Sequence, residues 1–90
     1  MPRLLLLGRP DCHLCEEMAQ ALVEHFPQEP WQLDEVNVDE YDELRRRYGL
    51  KIPVLMDPGG DSVCVTRFDP RAMADWLAEH RRAETRRNPR

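Results

Sequence analysis

Long apolar runs are what this sequence lacks most plainly: none exceeds the four residues Leu4 to Leu7. A membrane-spanning helix needs about 20 consecutive apolar residues and the core of a signal peptide about 7–15, so neither is expected. Cysteine is equally sparse. Three cysteines in 90 residues are too few for a secreted scaffold stapled by disulfides, which points to the cytoplasm, where thiols stay largely reduced. Basic stripes interleaved with aromatics are missing as well. Residues 1–80 carry eight Lys/Arg against sixteen Asp/Glu, a balance that repels phosphates and argues against nucleic acid as a partner. There is also no length for a second domain. A chain of 90 residues buries little more than ~60% of its unfolded surface, enough for two or three thin layers.

The chain divides near His80. Residues 1–80 are expected to form one domain, whereas Arg81 to Arg90 holds five Arg against Glu84 alone and reads as a solvated, flexible basic tail. No exposed apolar seam is evident, so the domain is expected to be a monomer.

What the sequence does have is Cys12-His13-Leu14-Cys15, placed after Leu4 to Leu7 and before a stretch of helical periodicity. In a reducing compartment a lone C-x-x-C points to redox catalysis or metal rather than to structure. If a helix begins near Cys12, the unpaired N–H groups and macrodipole of its first turn favour a thiolate there. Cys12 is then the attacking sulfur. Cys15, about one turn later, is close enough to attack a mixed disulfide and release the reduced substrate. His13 could stabilise the neighbouring thiolate when protonated or stand in solvent. Cys64, within Val63-Cys64-Val65, reads as plain packing of a small hydrophobe.

The rest of the chain supplies a frame for this motif. Leu4 to Leu7 suits a strand buried on both faces. From Cys12 to Phe26, apolar groups recur at Leu14, Met18, Leu22 and Phe26, flanked by Cys15, Ala19 and Val23, and Pro27 ends the helix. Trp31/Leu33 and Val36/Val38 are offset pairs, which predicts a strand with a bulge or a late start. Asp39 is expected to cap a short helix carrying Tyr41, Leu44 and Tyr48, with Gly49 as its stop. Tyr41, Tyr48, Trp31 and Trp76 are expected in the core. Ile52 to Met56 and Ser62 to Thr66 form a hairpin around Asp57-Pro58-Gly59-Gly60-Asp61. Asp69-Pro70 opens a last helix with Met73, Trp76, Leu77 and His80 on one side. His25 and His80 read as helix-end residues. The order βαβαββα, with strands parallel where helices join them, predicts an α/β fold: a four-stranded mixed sheet with helices on both faces.

Gly8-Arg9-Pro10-Asp11-Cys12-His13-Leu14-Cys15-Glu16-Glu17, Tyr48-Gly49, Ile52-Pro53-Val54-Leu55 and Arg67-Phe68-Asp69-Pro70 together resemble the small glutaredoxin-like proteins of the thioredoxin superfamily. The resemblance runs to about His80. It implies a thioredoxin-like fold and a glutaredoxin-like dithiol-disulfide oxidoreductase, with Cys12 and Cys15 as the redox-active centre. It further implies that Pro53 is cis and that Ile52 and Pro53 offer backbone to a disulfide-containing protein or a small thiol substrate. Better-known glutaredoxins carry Pro-Tyr between the cysteines, and a Gly-Gly followed by acidic residues at the last helix binds glutathione. Here His13-Leu14 and Arg67-Phe68-Asp69-Pro70 stand instead, and Gly59-Gly60 lies in the hairpin turn. No resident cofactor is implied, and glutathione stays open as a co-substrate.

Two other classes compete. Zinc wants four ligands, usually from two knuckles, and this chain has one, with Cys64 and His25 as poor completions, so no metal residue is assigned. An iron–sulfur cluster shared between two chains through the C-x-x-C is the other metal form. A redox-silent interaction domain would keep the fold without the chemistry.

Overall fold

The computed structural model describes residues 2–87. Its elements are β1 (Arg3–Gly8), α1 (His13–His25), β2 (Gln32–Asn37), a 3-10 turn (Val38–Glu40), α2 (Asp42–Tyr48), β3 (Val54–Met56), β4 (Ser62–Val65) and α3 (Pro70–Arg87). The strands form one mixed sheet in the order β2-β1-β3-β4. Strand β1 is central, which explains its unbroken leucines. Leu4 and Leu6 pack with Met18, Leu22, Leu55 and Met73 beneath α1 and α3, while Leu7 joins Val38, Val54 and Met56 on the opposite face, where Leu44 and Tyr48 of α2 also lie. Helices therefore cover both faces. No helix among the described residues is long and apolar enough to cross a membrane.

The direction of β3 corrects the expectation of parallel strands across every helix. β1 and β2 are parallel, but β3 pairs with β1 antiparallel, Leu7 opposite Val54. Helix α2 has only seven residues and spans about 10 Å, too little to return the chain to the far end of the sheet. The chain leaves β2 and enters β3 at the same end. β4 then pairs antiparallel with β3, as the hairpin requires.

Strand β2 needs no bulge. Its register with β1 runs unbroken from Arg3 opposite Gln32 to Gly8 opposite Asn37. Leu33 packs toward α1 and Val36 toward α2, so the offset pairs are the two faces of one edge strand. The irregularity lies in the hairpin instead, between Leu55 and Met56.

Two helix termini also differ from expectation. Tyr41, not Asp39, is the N-cap of α2, and it makes no side-chain capping bond. Tyr41 is largely exposed, because it sits at this boundary rather than on the buried face. Helix α3 does not stop at His80 but continues to Arg87. The expected flexible tail is helical over 81–87, where Arg82 and Arg86 pair with Glu79 one and two turns earlier, and Arg81 pairs with Glu29. His80 is thus within the helix, stacked on Trp76 at 5.0 Å and 13°. Residues 88–90 of the tail lie outside the described residues.

Candidate functional site

Three chain segments meet at one end of the sheet, because β1 ends there at Gly8, β3 starts there at Val54 and β4 ends there at Val65. Pro10-Asp11 turns β1 into α1. Asp11 adopts φ 58, a left-handed conformation that Asp tolerates better than most residues. Cys12 follows as the N-cap of α1, and its sulfur accepts a hydrogen bond from the Cys15 N–H at 3.2 Å.

Cys12 and Cys15 are joined in a disulfide with their Cα atoms 5.2 Å apart, so the structure holds the oxidised pair. The two sulfurs are unequal. Cys12 is half-buried, whereas Cys15 is only 6% exposed and belongs to the core around Leu6 and Met18. Gly8 makes that burial possible. A Cβ on Gly8 would overlap the Cys15 sulfur and sit 3.4 Å from the Cys15 Cβ. Nothing in the sequence marks this role, since Gly8 there reads only as the end of a strand.

The Ile52-Pro53 peptide is cis. Pro53 is fully buried and precedes Val54, which faces Leu7, so the register continues it beside Gly8. Its carbonyl accepts from the Thr66 N–H at 2.7 Å. Ile52 is half-buried against the α2-side core. His13 stands in solvent with Nε2 3.5 Å from Glu17 Oε2. Leu14, expected in the buried stripe, is 56% exposed beside the disulfide, because Cys15 and Met18 take the inward direction at the first turn.

A groove of about 310 Å³ runs from Leu14, lined also by Glu17, Met18, Thr66, Arg67 and Phe68. A second cleft of about 220 Å³ reaches Cys15 from the β2 side, past Gly8, Arg9 and Asn37. Cys64 is separate. It is buried at 2% exposure, unpaired, and hydrogen-bonded to the Asp69 backbone. Burial pushes its thiol pKa up, against the smaller opposing effect of the Asp69 N–H.

At the start of α3 the Asp69 carboxylate accepts from the N–H groups of Arg71 and Ala72, both at 3.1 Å, and the Asp69 carbonyl accepts from Met73. The helix therefore caps itself. Among the described residues no three His, Cys, Asp or Glu side chains are grouped as metal ligands.

A four-stranded mixed sheet, a cysteine pair at the N-terminus of the first helix and a proline strand beside it define a thioredoxin-like protein. The chain matches the family described as Glutaredoxin-like domain (DUF836) over residues 3–78, and it belongs to that family. The solution structure of protein Ne2328 from Nitrosomonas europaea is similar, with 29% identity and a TM-score of 0.75, over 84% of this chain and 92% of that one. Protein XcR50 from X. campestris is similar in its X-ray structure, with 33% identity and a TM-score of 0.63, over 84% and 96% of the two chains. Its solution structure gives 34% identity and a TM-score of 0.65, over 88% and 95%. No curated protein matches the chain.

Proposed function

We propose that the protein is a glutaredoxin-like dithiol-disulfide oxidoreductase of the cytoplasm, working as a monomer on disulfides. The observation that carries this reading is the inequality of the two joined sulfurs, Cys12 half-buried at a helix N-terminus and Cys15 buried one turn behind it.

In the reduced protein the Cys12 thiolate attacks one sulfur of the target disulfide. A Cys12–target bond forms, the target bond breaks, and the departing target thiolate takes a proton from water. Cys15 then loses its proton to solvent and attacks the Cys12 sulfur. The Cys12–Cys15 bond forms and the second target thiolate leaves, so two electrons have passed to the target. A thiol reductant returns them. The dipole of α1 and the Cys15 N–H both favour negative charge on the Cys12 sulfur, while Glu16 in the first turn opposes it. Ile52 would offer its backbone to the substrate with Pro53 holding it in place, and His13 would tune the thiolate only when it turns from Glu17.

The self-capped start of α3 favours polypeptide disulfides over glutathione, because its first free amides already serve Asp69. The test is Cys15→Ser, reduced and mixed with disulfide-containing proteins and with oxidised glutathione. A mixed disulfide on Cys12, seen by mass spectrometry, is expected; its absence with every disulfide refutes the reading.

A further inference from the structure

The eight basic residues of the domain fall into two groups. Arg3, Arg9, Arg45 and Arg46 each lie within 4.0 Å of a carboxylate. Arg47, Lys51, Arg67 and Arg71 join no ion pair among the described residues, although the domain holds twice as many acids as bases. Half of the cations in this acidic domain therefore lack a partner, and two of them, Lys51 and Arg67, sit on segments joined through Thr66.

Thr66 ties the backbone segments that carry Lys51 and Arg67 together beside Pro53. The Thr66 hydroxyl donates to the Lys51 carbonyl at 2.7 Å, and its N–H donates to the Pro53 carbonyl at 2.7 Å. Thr66 itself has φ 69 and is the centre of a tight turn in which the Arg67 N–H donates to Val65 O at 2.7 Å. A β-branched residue in the left-handed region is strained, and such strain collects where a surface is positioned for use. Arg47, whose guanidinium lies 5.5 Å from the Tyr48 ring centroid, is in the last turn of α2, four residues before Lys51. Apolar side chains are exposed among these cations. Leu50 is wholly exposed, and Leu14 and Val65 are about half exposed.

Resting on the oxidoreductase reading, we propose that this surface selects polypeptide disulfides flanked by acidic residues. Lys51 and Arg67 receive the carboxylates, and Leu14, Leu50 and Val65 cover an aliphatic side chain of the same segment. The cations are exposed on two separate segments rather than converged in a pocket, which suits an extended chain better than a compact anion. The acidity of the remaining domain does not cancel them. Asp11, Glu16 and Glu17 belong to the α1 side of the disulfide, Glu17 lining the groove with Arg67, so the selection acts on the stretch of the segment that passes Lys51 and Arg67, since at physiological ionic strength charges beyond about 8 Å are largely screened.

The test uses three peptides, each with one disulfide and identical except for flanking acidic, neutral or basic residues. Each is mixed with fully reduced protein, and the second-order rate constant for oxidation of the protein is measured at low and high salt. The acidic peptide is expected to react about tenfold faster than the basic one at low salt, with the ratio shrinking as salt rises. In K51Q/R67Q the ratio should fall to within about twofold, while R3Q/R82Q, with the same change in net charge far from the disulfide, should keep it. Equal rates for the three peptides, or a ratio that K51Q/R67Q leaves intact, overturns the charge assignment and leaves thiol exchange standing. Failure of all three to oxidise the protein overturns thiol exchange itself, and the assignment falls with it.

Discussion

The guanidinium of Arg9 donates from Nε to the Asp39 carboxylate at 2.9 Å and from a terminal nitrogen to the Gly49 carbonyl at 3.0 Å. One side chain thus ties the loop that carries Cys12 to both ends of the α2 region. Gly49 leaves room for it, since a Cβ there would lie 3.2 Å from Arg9 and 2.5 Å from the Arg45 carbonyl.

This pairing sets an acid limit to stability. The hydrogen bond from Arg9, helped by its charge and that of Arg45, holds the Asp39 pKa below the usual carboxylate value against an opposing desolvation. A carboxyl whose folded pKa is lowered contributes stability above its unfolded pKa of about 4, and that contribution is lost as pH falls through the folded value. Asp39→Asn should therefore flatten the acid limb of unfolding midpoints measured from neutral pH downward. Glu79→Gln should do the same in the second half of α3, where Arg82 and then Arg86 lower its pKa. An unchanged acid limb in both variants would show that these pairs are too solvated to matter.

Gly8→Ala tests the seat of Cys15. The added methyl would overlap a sulfur that is buried and cannot swing aside, so overpacking by about 1–3 kcal/mol is expected. Urea unfolding of the oxidised protein would read this loss directly. A loss below about 0.5 kcal/mol would mean that β1 and α1 separate easily, and the close packing would carry no energetic weight.

Local signals were legible in the residues, and contacts between distant segments were not. The leucines of β1, the C-x-x-C at the start of α1, the Asp57 to Asp61 turn and Asp69-Pro70 each act within a few residues of themselves, and each lies where its pattern places it. The direction of β3 depends on how far α2 can carry the chain, which periodicity does not measure. Asp39 looks like a helix cap by type and position, yet Arg9, thirty residues earlier, competes for its carboxylate. Leu14 fits the apolar stripe of α1 but has no element packed over it at the first turn. The juxtaposition of Gly8 with the Cys15 sulfur follows from how α1 packs on β1, and that of the Lys51 and Arg67 segments from how the Thr66 turn bonds back to Lys51 and Pro53.

Asp69 should matter for stability and for ligand choice in opposite senses. Asp69→Ala removes two capping bonds from α3 and should cost about 0.5–2 kcal/mol in denaturant unfolding, whereas Asp69→Ser should recover most of it. The alanine variant also exposes amides at a helix N-terminus, which attract carboxylates. Its reaction with oxidised glutathione should accelerate relative to the parent protein. Loss of stability without that acceleration would separate the cap from substrate choice.

The reduced protein should sort its three thiols by environment. Cys64 is buried and its pKa is raised, chiefly by desolvation, so little of it is thiolate at neutral pH and none of it is accessible. Cys12 is half-buried at a helix N-terminus. Iodoacetamide at pH 7 should therefore modify Cys12 first, by about tenfold or more, and reach Cys64 only when the protein unfolds. The raised pKa has a second consequence, with the sign opposite to that of Asp39. The folded state keeps its proton longer than the unfolded one, so the contribution is complete below about pH 8.5 and declines as pH rises toward the folded value. Cys64→Ala should abolish that alkaline decline in unfolding midpoints. Modification of Cys64 in the folded protein at the rate of Cys12 would show that the α3 side of the core opens readily, and the alkaline decline would then vanish as well.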